Sequence, residues 1–217
     1  MRYASLAIIL LLFTQFLLSA VFFPHVPSRL ATHWNAQGVV DGSMGKLGGL
    51  LFLPVLSGVV ALLLLWLPSS DPLLKKKPSS ITAQVHLFVI ALLGFFTVIH
   101  VQVLLWNIGI HIPFSRTLPV VTGLLCIVLG HTFRLVERNW FFGVRTPWTL
   151  SSDEVWYETN RKAGRWFQVA GAAMIFGVFA RRQAFLVIVT PLLVVSAAAT
   201  IYSYLAYKKN KCRKRSG

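Results

Sequence analysis

His131, Arg134 and Glu137 follow one another at three-residue intervals near the end of an apolar run, so an α-helix would set all three on one face. His86 falls near the matching end of the preceding apolar run, and antiparallel packing of the two runs would let it meet His131 and Arg134 at one depth. Ionisable groups among apolar helices are costly to bury and suggest a proton-linked or ligand-binding cluster. The structural alternative weighs more, because these residues lie near the ends of their runs. Arg134 can snorkel to a polar boundary and pair with Glu137, while the histidines hydrogen-bond between helices.

No other combination points to catalysis, a cofactor or a metal. Paired carboxylates within apolar runs are absent, there is no HExxH, and no serine stands in a GxSxG elbow. His25 and His33 lack a third ligand at usable spacing, and Cys126 and Cys212 occupy unlike surroundings, one in an apolar run and one in a basic tail. The string GSMGK resembles the end of a phosphate-binding loop, but Val40 stands where the first glycine is required and Leu47 where a serine or threonine is required. The expectation is a protein that is not an enzyme, with no catalytic, cofactor-binding or metal-binding residues.

The elements that must position these residues are apolar. The 217-residue chain is 56% hydrophobic and 12% charged, with a mean hydropathy of +0.69, a composition that marks an integral membrane protein. A formal net charge of +15 would suggest nucleic acid in a soluble protein. Here the basic residues fall between apolar runs, where anionic lipid and membrane topology account for them, so the expected partners include membrane lipids and no direct nucleic acid.

Apolar runs at 4–23, 47–67, 84–106, 118–136, 166–180 and 184–207 read as six spans, the fifth short unless its helix begins near 159–164. The first competes with a signal-peptide reading at Ala20, which the long apolar core and the bulky Leu18 disfavour. With both termini inside, sixteen of the 21 basic residues are cytoplasmic, among them Lys75 to Lys77. The expected class is therefore all-α: a polytopic membrane protein with six transmembrane helices and both termini cytoplasmic. Residues 1–70 form a two-span unit with an extracytoplasmic loop at 24–46. Residues 71–217 form a four-span unit with a cytoplasmic loop at 137–165 and a basic C-terminal tail.

The loop at 24–46 holds His33, Trp34, Asn35 and Asp41, and its prolines and glycines read as irregular. The 139–165 stretch divides into a turn-rich part broken by Gly143 and Thr146-Pro147 and a helix capped by Ser151 with Glu154 three residues on. That helix runs on into the fifth span. Trp140, Phe141, Phe142, Trp148, Trp156 and Trp166 read as an interfacial belt in preference to a binding platform. Arg145, held between Gly143 and Pro147, offers a fork that binds a carboxylate or a helix end through two hydrogen bonds; Glu154, Glu158 and a helix end are the expected partners.

This second stretch resembles the SdpI family of bacterial immunity proteins through Asn139, Gly143, Arg145, Thr146, Pro147, Trp148, Thr149, Leu150, Trp156, Thr159, Asn160, Arg161 and Gly164. The first part resembles the membrane domain commonly found ahead of it through Pro24, Pro27, His33, Trp34, Asn35, Gly38, Asp41, Lys46 and Pro54. The resemblance implies a multispan protein that protects its producer against a secreted toxic peptide. It also implies capture of a winged-helix autorepressor at the membrane, as a second partner. A small transporter or channel using His86, His131 and Arg134 is the alternative, weakened by the lack of internal symmetry.

Overall fold

Leucine, isoleucine, alanine and phenylalanine occupy the first run on all sides but the face of Gln15 and Ser19, which leaves no stripe for water and suits a helix largely bordered by hydrocarbon. It forms α1, Arg2–Phe22. The computed structural model describes residues 2–74 and 81–213, with the backbone alone at 180–182. Lys75 to Lys77 and residues 214–217 of the tail lie outside the described residues. The remaining helices are α2 (Lys46–Trp66), α3 (Thr82–Asn107), α4 (Phe114–Phe133), the short α5 (Pro147–Ser151), α6 (Asp153–Phe176) and α7 (Ala184–Arg213). Five of these, α1, α2, α3, α4 and α7, are long and apolar enough to cross a membrane.

The expected fifth span has a different form. Residues 166–176 are the second half of α6, whose first half carries six charged residues, and residues 177–183 continue as a 3-10 helix. Residues 181–183, between the apolar runs 166–180 and 184–207, lie in that 3-10 segment. The continuity of the charged helix with the apolar run is as expected; the N-cap is not. Ser152, not Ser151, caps α6, because Ser151 closes α5 and turns its hydroxyl back to the Trp148 carbonyl at 2.9 Å.

The loop at 24–46 is not irregular either. Strands β1 (Arg29–Trp34) and β2 (Val40–Gly45) pair antiparallel, with the register broken on both sides of His33. Asn35 makes the turn by accepting from the N–H groups of Gln37 and Val39, and Gly38 takes the positive φ of 79° that the turn requires. Leu30 is fully buried against Leu50 and Leu104. Asn107, at the end of α3, accepts from the Ala31 N–H at 2.8 Å and donates to its carbonyl at 3.0 Å, so one side chain completes the ladder that a third strand would supply.

Helices α4 and α6 pack most closely. Gly123 faces Gly171 and Gly130 faces Gly164, seven residues apart on both helices. A Cβ at Gly123 would stand 2.5 Å from the Gly171 carbonyl oxygen, so the backbones approach as only glycine permits. The buried apolar core is continuous, from Ile8 of α1 through Val89 of α3 to Phe133, Trp156 and Phe167.

Candidate functional site

Two ends of the helix array carry the residues singled out from the sequence. At one end, the segment between α4 and α6 lacks any apolar periodicity and is shaped by side chains that imitate backbone. Asn139 is fully buried; its Oδ1 accepts from the N–H groups of Phe141 (2.9 Å) and Phe142 (2.6 Å), and its Nδ2 donates to the carbonyls of Glu137 (2.8 Å) and Phe142 (2.9 Å). That uses all four hydrogen bonds of the amide. Gly143 follows at φ 118°, and a Cβ there would come within 2.7 Å of Asn160 Oδ1 and 3.1 Å of the Trp156 ring. The glycine thus lets the loop lie on α6, where Asn160 accepts from the Val144 N–H at 2.7 Å. Trp156 is buried and donates its indole N–H to the Val136 carbonyl at 2.9 Å.

Thr146 caps α5 reciprocally with Thr149, and Pro147 occupies the first helical position, where its missing N–H is harmless. The Thr146 hydroxyl also donates to Ser203 Oγ at 3.0 Å, which ties the loop to α7. Further ties follow along α7: Tyr202 donates to Glu158 at 2.7 Å, Lys162 lies 4.2 Å from the centre of the Tyr202 ring, and Trp148 packs on Tyr204.

Several expectations for this end change. Arg145 is exposed and donates once, to the Trp140 carbonyl at 2.8 Å, rather than to Glu154 or Glu158. The arginine that binds a carboxylate and a helix end together is Arg138, with Nε on Asp153 at 2.6 Å and Nη1 on the Leu150 carbonyl at 2.5 Å. Trp156 and Phe142 belong to the core and not to an interfacial belt, whereas Trp140 is 50% exposed. Thr159 is buried, and Arg161 is exposed.

Asp71 escaped the sequence reading altogether. It is fully buried, and its two oxygens accept from the N–H groups of Leu73 (2.8 Å) and Trp140 (2.7 Å), so it joins the connector after α2 to the distant loop. An aspartate flanked by Ser70 and Pro72 is a turn signal. Only its second oxygen is unforeseeable.

The intramembrane cluster does not assemble as expected. His86 turns to the Thr82 carbonyl of its own helix, Arg134 donates to Gln168 on α6, and His131 is exposed. The histidine held by polar partners is His100, fully buried with Ser19 Oγ 3.0 Å from its Nε2. Ser19 in turn donates to the Leu50 or Gln15 carbonyl, and Gln15 donates to Thr97 Oγ1. The available signal was Gln15 and Ser19 at i, i+4 on α1, one face of an otherwise apolar helix. Among the described residues, no group of three His, Cys, Asp or Glu could hold a metal.

At the other end, His33 and Asp41 bond across the hairpin at 2.5 Å, both largely exposed. Trp34 leans on Phe114 and Trp106 with ring centres 4.3 and 5.4 Å apart. Between this hairpin and the ends of α2, α3, α4 and α7 lies a groove of about 490 Å³. Thr32, His33, Trp34, Asn35 and Ser115 contribute its polar side-chain groups, and among the described residues no Asp, Glu, Lys or Arg lines it.

An array of apolar helices joined by a hydrogen-bonded loop at one end and a hairpin at the other defines a membrane protein. The model of the SdpI/YfhL protein family matches residues 135–203, the stretch that holds Asn139, Gly143, Trp156 and Asn160. Residues 10–58, with the hairpin, match a domain of unknown function, DUF1648. Over 202 residues the chain is 22% identical to the Immunity protein SdpI of Bacillus subtilis (strain 168), covering 93% of this chain and 94% of the relative. No solved structure matches.

Proposed function

We propose that this is an immunity protein of the bacterial cell membrane that protects its producer against a secreted toxic peptide by binding, without catalysis. The observation that carries the reading is the similarity to Immunity protein SdpI along nearly the whole of both chains, hairpin and loop included. In this reading α6 with its 3-10 extension is the fifth of six spans and both termini are cytoplasmic, as the distribution of basic residues favours. The hairpin end then faces the outside, where a secreted peptide arrives. Expression in a toxin-sensitive bacterium followed by challenge with the peptide toxin is the test. Growth equal to the empty-vector control would refute protection, and a reporter fused after Gly217 that is active only outside would refute the topology.

A second reading adds capture of a winged-helix repressor at the loop end. Helix α7 favours it, because its first turn lines the groove through Ala184, Phe185 and Ile188 while Tyr202, Ser203 and Tyr204 hold the loop. A ligand that shifts α7 would be felt at both ends, as coupling between sites requires. Relocation of a labelled repressor to the membrane upon toxin addition, lost in Ser203→Leu, would support it. An unchanged cytoplasmic distribution would end it.

A further inference from the structure

The groove beneath the hairpin is built jointly by the two stretches that match different families. Asn35 and Phe52 belong to the 10–58 stretch, Phe185 and Ile188 to the 135–203 stretch, and α3 and α4 close it between them. Neither stretch forms the groove alone. Its volume of about 490 Å³ falls within the range of ligand sites, roughly 300–1,000 Å³, so it suits a short segment and not a whole peptide.

The chemistry of the two walls selects the occupant. One wall is the turn end of a β-strand, which offers the Thr32 hydroxyl and the Asn35 Nδ2, the Asn35 Oδ1 being taken by the turn; the other is Phe52, Leu53, Phe185 and Ile188, which offers only apolar surface. A lipid acyl chain would satisfy the second wall and leave the first desolvated without partners. A charged side chain would find no counter-charge among the described lining residues. An extended peptide has polar backbone on its edges and side chains on its faces, and so meets both walls. We infer that the groove binds an uncharged apolar segment of a peptide, backbone toward the hairpin and side chains toward α2 and α7. This rests on the immunity reading and names the place where it acts.

The test uses the full chain in lipid nanodiscs and a capped, fluorophore-tagged octapeptide of leucine, valine and alanine as probe. Leu53→Trp and Ile188→Trp fill the groove, and Leu193→Trp, 65% exposed on the outer side of α7, serves as control. The filled variants should bind the probe about 10-fold more weakly, the loss of some 1.4 kcal/mol, while the control binds as the parent does. A probe with two lysines in place of leucines should bind weakly to all. Equal binding of both probes, or unchanged binding in both filled variants that still elute as a single species, would overturn the inference. So would displacement of the probe by an equimolar short-chain phospholipid, which would make an acyl chain the occupant, or cross-linking of two chains through the groove, which would make it a second copy. The toxin challenge keeps the two readings apart. A parent chain that protects while both filled variants protect equally sinks the groove and spares the immunity reading; a parent chain that fails to protect sinks the immunity reading, and the probe still reports on the groove.

Discussion

The loop end and the hairpin end of this molecule put similar residue types to opposite uses. At the loop end, Asn139, Asn160, Thr146, Thr149 and Asp71 are buried and spend their hydrogen bonds on named backbone groups or on one another. At the hairpin end, Asn35 also spends its Oδ1 on a turn and His33 bonds Asp41, but that pair is exposed, and Thr32 and the Asn35 Nδ2 border an open groove. The loop end is therefore built to keep one conformation, and the hairpin end to receive something. Side chains that complete backbone hydrogen bonding hold a shape, because an unpaired buried group costs more than a made bond gains.

Substitutions at the two ends should separate along that line. The largest effect is expected for Asn139→Leu, which strands two N–H groups and two carbonyls in the interior; loss of even two of these amounts to about 2–4 kcal/mol. A fall in the thermal midpoint of the detergent-purified protein would report it, and an unchanged midpoint would mean the loop is not held as described. Asp71→Ala should follow at about 1–3 kcal/mol, since the Trp140 and Leu73 N–H groups lose their acceptor. Faster proteolysis after α2 would accompany it.

Arg138→Lys comes next, because lysine cannot reach a carboxylate and a helix-end carbonyl together; with Asp153 exposed, the expected loss is about 0.5–1 kcal/mol. Arg145→Lys should cost less than that, since its single exposed bond to Trp140 is within a lysine's reach. A larger effect for Arg145 than for Arg138, measured by the same melts, would reverse the assignment. Asp41→Asn should be smallest, below about 0.5 kcal/mol for a surface pair. Should it nevertheless abolish toxin protection, the hairpin end would be shown to work by contact and not by holding the fold.

How far the sequence carried varies along the chain for physical reasons. The apolar runs were legible because hydrocarbon requires long stretches without charge, and α6 was legible as one helix, with its cap one residue off, because the residues that start a helix are local. The hairpin was missed because His33 interrupts its alternation and its third ladder partner, Asn107, lies 76 residues away. The fork geometry was read correctly as a device and placed on the wrong arginine. Turn residues around Arg145 were visible locally, whereas the meeting of Arg138 with Asp153 depends on how the loop closes.

Composition and periodicity alone determined that this is a membrane protein of apolar helices, that its loops are basic, and that residues 139–165 are a structured turn followed by a helix. Those properties follow from solvent and from neighbours along the chain. Only the tertiary structure decided that His100 and not His131 is the buried histidine, that Asp71 grips the Trp140 N–H, and that α2, α4 and α7 leave a groove under the hairpin. Each of these depends on which helix faces carry close contacts, and that is set by pairs such as Gly130 and Gly164, whose meaning appears only when two backbones are brought together.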